Sequence, residues 1–465
     1  METVQKVGSK SGFPGPRTKE ILATLAKYES RGELYLGNYG TPPVIREAEG
    51  MYLTDVDDNV YLDLTAGFAA LNLGHKPKKV IQAAVDQMNQ VHHTAMLPVP
   101  VRAQVAEKLT QIAPGTLKNN SKVHFDISGT NVIEISMKLA KAYTRRPNVI
   151  SFYGGYHGRS FGTLAVTSDA YLRADFYPIM PGGVQVPYPY CYRCPFGQQP
   201  ETCKMQCVDF MELAMTNRKY GLADKVSKAN SIAALVIEPT QGASGYILPP
   251  EGYWKAVREL CDQNGILMID DEIQMGWGRS GKLFCIENWD VTPDIVAVGK
   301  AMSAGVTPIA ATIARSDIMD VFDINQQSVT FGGHPAGCAA TLAMLEVLEE
   351  EKLLEHTNAM GDYFQQGLAA LEKRHPIIGQ IQGKGLMIGM EFVRDRKTKE
   401  PASTETRWII REGMENGLLM TISGYYGNRI NIVPSLIIQK PHIDQALSIL
   451  DDVLTSAEKE SGIVK

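Results

Sequence analysis

The stretch "PDIVAVGKAMSAG", from Pro293 to Gly305, has the pattern of a buried strand that ends at a lysine. Four apolar residues, Ile295 to Val298, precede Gly299, and Lys300 follows the glycine directly. A short apolar run bounded by turn residues is typical of a strand covered on both faces. An ammonium group is seldom buried unless it is paired or used, so Lys300 is the first candidate for a chemical role.

A second strand pattern upstream, in "GILMIDDEIQMGWGRSG", ends in Asp270, Asp271 and Glu272. Ligands of open α/β sheets bind beyond the carboxyl ends of the strands. These acids and Lys300 are therefore expected to face one crevice. Taken alone, "DDE" is more typical of a surface turn with solvated acids.

Short apolar strands alternate with helical patterns through the middle of the chain, as in a parallel sheet covered by helices. We expect an α/β sheet domain over residues 76–335. Residues 1–75 contain the hairpin pattern "GMYLTDVDDNVYLDLTAG", and the helices and strands predicted over residues 336–465 are typical of a smaller α+β domain.

Ser128, Gly129 and Thr130, in "FDISGTNVIE", stand directly before a helical pattern. The free amides of a helix N-terminus suit a phosphate group. Ser and Thr are also ordinary capping residues, and a cap alone would explain them.

Tyr156 and His157, in "YGGYHGRS", lie on a glycine-rich loop after another strand. An aromatic ring at such a place either stacks on a flat ligand or packs against the protein.

The combination of a strand-end lysine, an acid, a phosphate cradle and an aromatic wall is what pyridoxal phosphate requires. The lysine amine forms a Schiff base with the aldehyde, and the acid keeps the pyridine nitrogen protonated, so that the ring accepts electrons.

The chain resembles the class III aminotransferases, which are fold type I pyridoxal-phosphate enzymes, from about Gly37 to the C-terminal helix. "DDEIQMGWGRSG" followed by "PDIVAVGKAMSAG" is the most specific part of the resemblance. "AGFAALNLGH", "YHGRSFGTLAVT", "IEPTQG" and "TFGGHPAGCAA" match in the same order. The resemblance implies a large domain with a mixed or parallel sheet, a small α+β domain built from both chain ends (residues 1–75 and 336–465), and a homodimer or a dimer of dimers.

The resemblance also implies roles for individual residues. Lys300 carries the cofactor and shuttles the proton, and Asp271 pairs with the pyridine nitrogen. The other cofactor-binding residues are Ser128, Gly129 and Thr130 at the phosphate, Tyr156 and Ile273 on the two ring faces, Gln274 near the ring hydroxyl, Glu238 as an orienting group for Gln274, His157 in the same loop, and Thr330 at the phosphate of the partner subunit.

The substrate positions implied by the resemblance are Phe68, Arg159, Arg429 and Asn431. Arg159 would grip the distal anion of an ω-amino acid, because a guanidinium matches a carboxylate or sulfonate. In its overall sequence pattern, the chain resembles the 4-aminobutyrate aminotransferases most. Those enzymes carry a glutamate and a mobile arginine, and the arginine moves to the carboxylate of a 2-oxo acid. Here Ala243 and Asn431 stand at those positions.

Arg429 precedes Asn431 by two residues and would share its face on a strand, so it is expected either to reach the substrate or to be a solvated surface residue. The expected reaction is amino transfer from an ω-amino acid to a 2-oxo acid. Since this chain lacks both the glutamate and the mobile arginine, a racemase or epimerase of the same family is the alternative.

The composition agrees with a globular enzyme. Apolar residues make up 44% of the chain and the net charge is −5, so nucleic acid and anionic membranes are not expected partners. No secretory signal pattern is visible, and a cytoplasmic location is expected.

Four cysteines cluster at Cys191, Cys194, Cys203 and Cys207. Their spacing is not a standard zinc motif, so no metal is assigned, and reduced thiols or local disulfides are favoured over zinc.

Overall fold

The computed structural model describes residues 4–8, 12–33, 41–217, 219, 222 and 231–463. The first residues of the resemblance, 37–40, lie outside the described part. The chain divides into two compact units. One comprises the described residues of Met1–Pro77 and Lys352–Lys465 together with Ser244–Tyr246, and the other comprises those of Lys78–Ala243 and Ile247–Glu351.

The larger unit is built on a seven-stranded sheet. Its strands are β4 (Ser121–Asp126), β5 (Asn148–Phe152), β6 (Gly183–Val186), β7 (Ile232–Ile237), β8 (Leu267–Asp271), β9 (Ile295–Val298) and β10 (Ala310–Arg315). The order across the sheet is β4-β10-β9-β8-β7-β5-β6.

The described helices of the larger unit are α3 (Lys78–Gln90), α4 (Pro100–Ile112), α5 (Gly129–Thr144), α6 (Phe161–Leu164), α7 (Ala170–Arg173), α8 (Gln206–Thr216), α9 (Tyr253–Asn264), α10 (Ser316–Met319) and α11 (Pro335–Glu350).

The direction of the strands brings most of their carboxyl ends to one edge. Strands β5, β6, β7, β8 and β9 are parallel to one another, whereas β10 runs antiparallel to both β9 and β4. Two reversals leave β4 parallel to β9. The loops that follow β4, β5, β7, β8 and β9 therefore open at the same edge of the sheet, which is the geometry that the strand-end residues predicted.

A buried apolar layer joins α5 to this sheet. Val132, Ile133 and Leu139 of the helix are buried with Ile269 of β8 and Ile295 of β9. Strand β7, "IAALVI", is buried at every position, as expected for a strand covered on both faces.

The described residues of the smaller unit form two sheets. The first has the order β1-β2-β3-β14, from β1 (Ile45–Glu49), β2 (Tyr52–Asp55), β3 (Val60–Asp63) and β14 (Leu418–Leu419). The second has the order β11-β12-β16-β15, with β13 beside β12, from β11 (Ile378–Lys384), β12 (Met387–Asp395), β13 (Glu400–Pro401), β15 (Thr421–Ser423) and β16 (Arg429–Ile432). Its described helices are α1 (Pro16–Tyr28), α2 (Ala66–Ala69), α12 (Leu353–Arg374), α13 (Ser403–Glu415) and α14 (Lys440–Ser461).

The C-terminal boundary of the larger unit differs from the expected one. Residue 336 was expected to open the small domain, but α11 belongs to the larger unit, where it packs against α3. The long helical pattern breaks after Glu351, because Lys352 adopts a left-handed backbone with φ 49°. Packing of α11 against α3, rather than its continuity with α12, decides the unit to which it belongs.

Candidate active site

Asp271 and Lys300 follow neighbouring parallel strands. Asp271 ends β8 and faces Ala297 of β9 in the register, and Lys300 follows β9 after Gly299. Lys300 has a φ of 45°, a left-handed conformation that a residue with a side chain seldom adopts and that is found more often at functional sites.

The burial of Lys300 shifts its amine toward the neutral form. Burial lowers the pKa of Lys300, although the negative charges of Asp271 and Glu238 oppose this effect. A lower pKa leaves more of the group as free amine, which is the form that attacks a carbonyl. Lys300 is thus suited to nucleophilic and proton-transfer roles.

Asp271 is buried and held by two donors. The imidazole Nδ1 of His157 lies 2.8 Å from its Oδ2, and the backbone amide of Ile273 donates to its Oδ1 over 3.1 Å. Both Asp271 and His157 are less than 5% exposed. The carboxylate therefore has a fixed direction at the strand end.

Glu238 follows β7 and ties two loops together. One carboxylate oxygen accepts the amide of Tyr156 and the other accepts the amide of Gly242, each over 2.8 Å. Burial raises the pKa of Glu238 to about 7, although the charge of His157 acts in the opposite direction. A Cβ on Gly242 would lie 1.9 Å from Oε1 of Gln274, so Glu238 positions the backbone against which Gln274 packs.

The N-terminus of α5 offers a cradle for an anion. Ser128 caps the helix by accepting the amide of Asn131 over 3.2 Å, and the amides of Gly129 and Thr130 come before that bonded amide. The first amides of a helix have no partner within the helix and carry the positive end of its dipole. Both the capping role and the anion-binding role of this segment are thus compatible with the geometry.

Close contacts keep this cradle narrow. A Cβ on Gly129 would come within 3.0 Å of the Ile273 side chain, and one on Gly158 within 2.5 Å of the Thr130 hydroxyl. The glycine-rich loop after β5 therefore lies directly on the start of α5. This shape, together with the amine, the acid and the aromatic ring of Tyr156, fits the phosphate, aldehyde and ring nitrogen of pyridoxal phosphate.

Arg159 lies on the same loop and is exposed. Its guanidinium carbon is 5.8 Å from the centre of the Tyr156 ring. The loop is anchored on α5, because the Ser160 hydroxyl and the Thr163 amide both donate to Glu134. Arg159 is thus held beside the expected ring wall with its charge directed outward.

Thr330 is exposed in the larger unit. Phe68, Arg429 and Asn431 belong to the smaller unit. Phe68 is 42% exposed and lies in α2, where four successive residues have positive φ angles between 42° and 65°. Asn431 is buried, and its side-chain oxygen accepts the Ser423 hydroxyl over 2.7 Å.

The structure argues against both expectations for Arg429. It is fully buried rather than solvated, and its guanidinium already pairs with Glu391 and donates to the Gly245 carbonyl. A guanidinium neutralised in this way is not free to bind a substrate carboxylate. Glu391 was not singled out from the sequence, although a lone acid within the apolar strand "GLMIGMEFV" is a signal that a buried partner exists.

The cysteine cluster is half-buried, and all seven cysteines are free thiols. Burial raises the pKa of Cys191, and it raises the pKa of Cys207 to about 12. Within the described ranges, no group of three or more His, Cys, Asp or Glu side chains is placed to hold a metal ion. The described helices also include none long and apolar enough to cross a membrane.

A lysine and an acid at adjacent strand ends of this sheet, beside a helix-terminal anion cradle, define a fold type I pyridoxal-phosphate enzyme. The family model of the class III aminotransferases matches residues 37–454, and the chain belongs to that family. This membership confirms the predicted fold, enzyme class and cofactor, pyridoxal 5′-phosphate.

Relatives in this family carry different activities. The chain is 34% identical to the leucine/methionine racemase of Thermococcus litoralis over 421 residues, which are 90% of this chain and 92% of the relative. It is 32% identical to the probable 4-aminobutyrate aminotransferase of Bacillus subtilis over 434 residues, 92% of this chain and 97% of the relative.

Among solved structures, the taurine:2-oxoglutarate aminotransferase of Bifidobacterium kashiwanohense, determined in complex with PLP and glutamate, superposes with a TM-score of 0.85. Its identity to this chain is 27%, and the match covers 99% of both chains. The family is therefore certain, whereas the substrate differs among these proteins.

When bound, pyridoxal phosphate supplies an aldehyde for an amine and a ring that withdraws electrons from the reacting carbon. The protein residues supply the rest. Lys300 would provide the amine and carry protons, and Asp271 would lie against the ring nitrogen. The start of α5 would bind the phosphate, with Tyr156 and Ile273 beside the ring.

Proposed function

We propose that the protein moves the amino group of an ω-amino acid or related amine with a distal anion to a 2-oxo acid in a ping-pong reaction. Suitable donors are 4-aminobutyrate, β-alanine or a taurine-like compound, and suitable acceptors are 2-oxoglutarate or pyruvate. Lys300 and Asp271 carry the chemistry, and the cofactor stays with the protein between the two half-reactions.

Arg159 is the observation that carries this proposal. Its exposed guanidinium lies over the Tyr156 ring, on a loop anchored at Ser160. An exposed cation beside the expected cofactor wall suits an anionic group at the far end of a substrate, because a planar guanidinium binds carboxylate or sulfonate through two parallel hydrogen bonds.

A racemase or epimerase is the second candidate. Ala243 and Asn431 carry no charge, and Arg429 is already paired with Glu391. A transaminase must bind two substrates in turn, whereas a racemase binds only one. The relative from Thermococcus litoralis, a leucine/methionine racemase, supports keeping this alternative.

One panel of assays separates the two activities. The purified protein with pyridoxal phosphate is incubated with 4-aminobutyrate, β-alanine or taurine, each with pyruvate or 2-oxoglutarate. Formation of alanine or glutamate supports amino transfer. Inversion of a chiral α-amino acid in the absence of any oxo acid, with no transfer in the panel, supports the racemase instead.

The variants Arg159→Ala and Arg159→Lys test the distal-anion assignment. We expect Ala to raise KM for acidic donors by about 10- to 100-fold, since a charged hydrogen bond is lost. Lys should restore part of the affinity. Unchanged activity of Arg159→Ala toward acidic donors would rule the assignment out.

The proposed assembly is a homodimer or a dimer of dimers in the cytoplasm, in which Thr330 of one subunit reaches the cofactor phosphate of the other. Thr330 is exposed in the single chain, as this role requires. Sedimentation equilibrium of the wild type should give a dimer or tetramer mass. Thr330→Ala should weaken cofactor binding without dissociating the assembly, and a monomer with full cofactor affinity would contradict the proposal.

A further inference from the structure

An open cleft lies at the edge of the large sheet opposite to the candidate active site. Its volume is about 590 Å³, within the range of small-molecule sites, which is about 300–1,000 Å³. Three cations line it, Lys141, Arg145 and Arg146. We propose that this cleft binds the multiply charged phosphate group of a small molecule. The proposal depends neither on amino transfer nor on racemisation.

The cleft is separate from the cofactor cradle, although α5 takes part in both. The cradle lies at the N-terminus of α5, at Gly129, whereas the cleft lies beyond its last residue, Thr144. At a rise of about 1.5 Å per residue, the 16 residues of α5 place its two ends about 24 Å apart. Asn148, the first residue of β5, also lines the cleft. A phosphate bound there is therefore not the cofactor phosphate.

Two of the three cations lack a bonded counter-charge. The described residues supply no hydrogen bond or ion pair to the side chain of Lys141 or of Arg145. Lys141 is half-buried, and burial lowers its pKa, although the charge of Glu134 opposes this effect. An ammonium that has lost part of its water without gaining a hydrogen-bonded anion is unfavourable. A bound anion would supply the counter-charge that the described part of the chain does not.

The third cation, Arg146, is held in place by the main chain. Its Nη1 donates to the carbonyls of Ile232, Asn264 and Gly265 over 3.1, 3.0 and 2.8 Å. Because carbonyl oxygens are neutral acceptors, these bonds fix the guanidinium without cancelling its charge. A guanidinium of fixed direction is well suited to phosphate oxygens.

The charge balance of the cleft favours a multiply charged anion. The C-terminal end of α5 repels anions by itself, since a helix end carries about half a negative charge. Three full positive charges outweigh this and leave roughly two and a half to be balanced. A single carboxylate would balance only one of them, whereas a diphosphate would balance most. Met180 and Pro181 add apolar surface, against which an uncharged part of an organic phosphate would pack.

The test is calorimetric titration of the protein loaded with pyridoxal phosphate, so that the cradle at Gly129 is filled. The probes are inorganic pyrophosphate, ADP, adenosine and acetate, at low ionic strength. We expect pyrophosphate and ADP to bind, and Lys141→Gln and Arg145→Gln each to weaken both by about tenfold or more, as for loss of a hydrogen bond between charged groups. Lys282→Gln, at an exposed lysine of the same unit, should leave the affinities unchanged.

The probes also distinguish the sources of the phosphate. Tighter binding of ADP than of pyrophosphate would support the proposal with an organic phosphate as the ligand, and equal affinities would support it with a free polyphosphate. If neither bound, or if adenosine or acetate bound as tightly as pyrophosphate, the proposal would be wrong.

A second measurement needs no variant and no turnover. The rate at which acetic anhydride acetylates each lysine of the loaded wild type is followed by peptide mass spectrometry. At a pyrophosphate concentration about ten times its Kd, acetylation of Lys141 should slow by about tenfold, because only the free protein reacts. The rate at Lys282 should not change. An unchanged rate at Lys141 would overturn the assignment of this cleft.

Discussion

Arg429 and Glu391 form a fully buried ion pair in the smaller unit, with Arg429 Nη1 2.6 Å from Glu391 Oε2. The two residues lie directly opposite each other on the antiparallel strands β16 and β12. Three glycines make room for the guanidinium, since a Cβ on Gly245, Gly389 or Gly424 would approach an Arg429 side-chain atom within 3.0 Å. The pair is therefore part of the framework of the sheet.

Glu391→Gln should strongly destabilise the protein, because it leaves the Arg429 charge buried without a counter-charge. Removing one partner of a buried pair costs about 3–5 kcal/mol. Urea unfolding followed by fluorescence measures the change. The matched control is Glu415→Gln in the pair Arg411–Glu415, where the arginine is exposed and the glutamate is partly exposed, and where about 0.5 kcal/mol or less is expected. A similar loss of unfolding free energy in both variants would show that burial of the Arg429–Glu391 pair has no energetic consequence.

Gly129→Ala should lower the affinity for pyridoxal phosphate by about three- to tenfold, or about 0.6–1.4 kcal/mol. The added Cβ would lie 3.0 Å from two atoms of Ile273, so Ile273, which is expected to pack on one face of the ring, must shift. Fluorescence titration of the apoprotein measures the affinity. The control is Gly32→Ala in an exposed turn, where the nearest atom is 3.4 Å away.

A second substitution tests the cause of this loss. Ile273→Val removes a methyl group from the contact, so the double variant Gly129→Ala/Ile273→Val should bind the cofactor more tightly than Gly129→Ala alone. Such coupling is expected for residues in direct contact. If the two substitutions lowered the cofactor affinity additively, the contact with Ile273 would not be the cause of the loss in Gly129→Ala.

The sequence was sufficient to predict the sheet edge that carries the site. Asp271 and Lys300 could be predicted to lie at strand ends, because each comes at the end of a short apolar run that is typical of a buried strand. The Arg429–Glu391 pair could not be predicted in the same way. Which strands become neighbours, and in which register, is decided by packing between residues far apart in the chain, and a local pattern does not contain that information.

Packing between distant residues also decides the unit to which α11 belongs, which a local pattern could not predict. Its sequence continues into α12 with a helical pattern, but its buried residues pack in the larger unit. His157 illustrates the opposite case: the motif "YHGR" drew attention to it, yet its contact with Asp271 depends on the pairing of β5, β7 and β8. Roles that depend on a side chain from another strand require the structure.

Glu238 should make the stability of the apoprotein depend on pH. Its pKa is raised from 4.5 to about 7 in the folded protein, so between these values the folded state holds a proton that the unfolded state has released. Stability therefore falls as the pH rises through this window, by up to about 3 kcal/mol. The raised pKa of His157 acts in the same direction.

The measurement is urea unfolding of the apoprotein at pH 5 and at pH 8. Glu238→Gln removes the titrating group, so this variant should lose less stability between the two pH values than the wild type does. Its stability at pH 5 is also expected to fall, because an amide cannot accept from both the Tyr156 and the Gly242 amides. Only the difference between the two pH values bears on the pKa. Equal differences in wild type and variant would refute the assignment.

Lys300→Ala should abolish covalent attachment of the cofactor while leaving the fold intact. The lysine is the only one among the described residues that follows a strand of the large sheet at the edge shared with Asp271 and Glu238, and its pKa is lowered by burial. Treatment of the loaded wild type with borohydride, followed by intact-mass and peptide analysis, should place one adduct on Lys300. Lys282→Ala, at an exposed lysine of the same unit, should keep the adduct. An adduct on any other residue, or its persistence in Lys300→Ala, would remove the chemical basis assigned to this site, because Lys300 would then not be the amine that binds the cofactor.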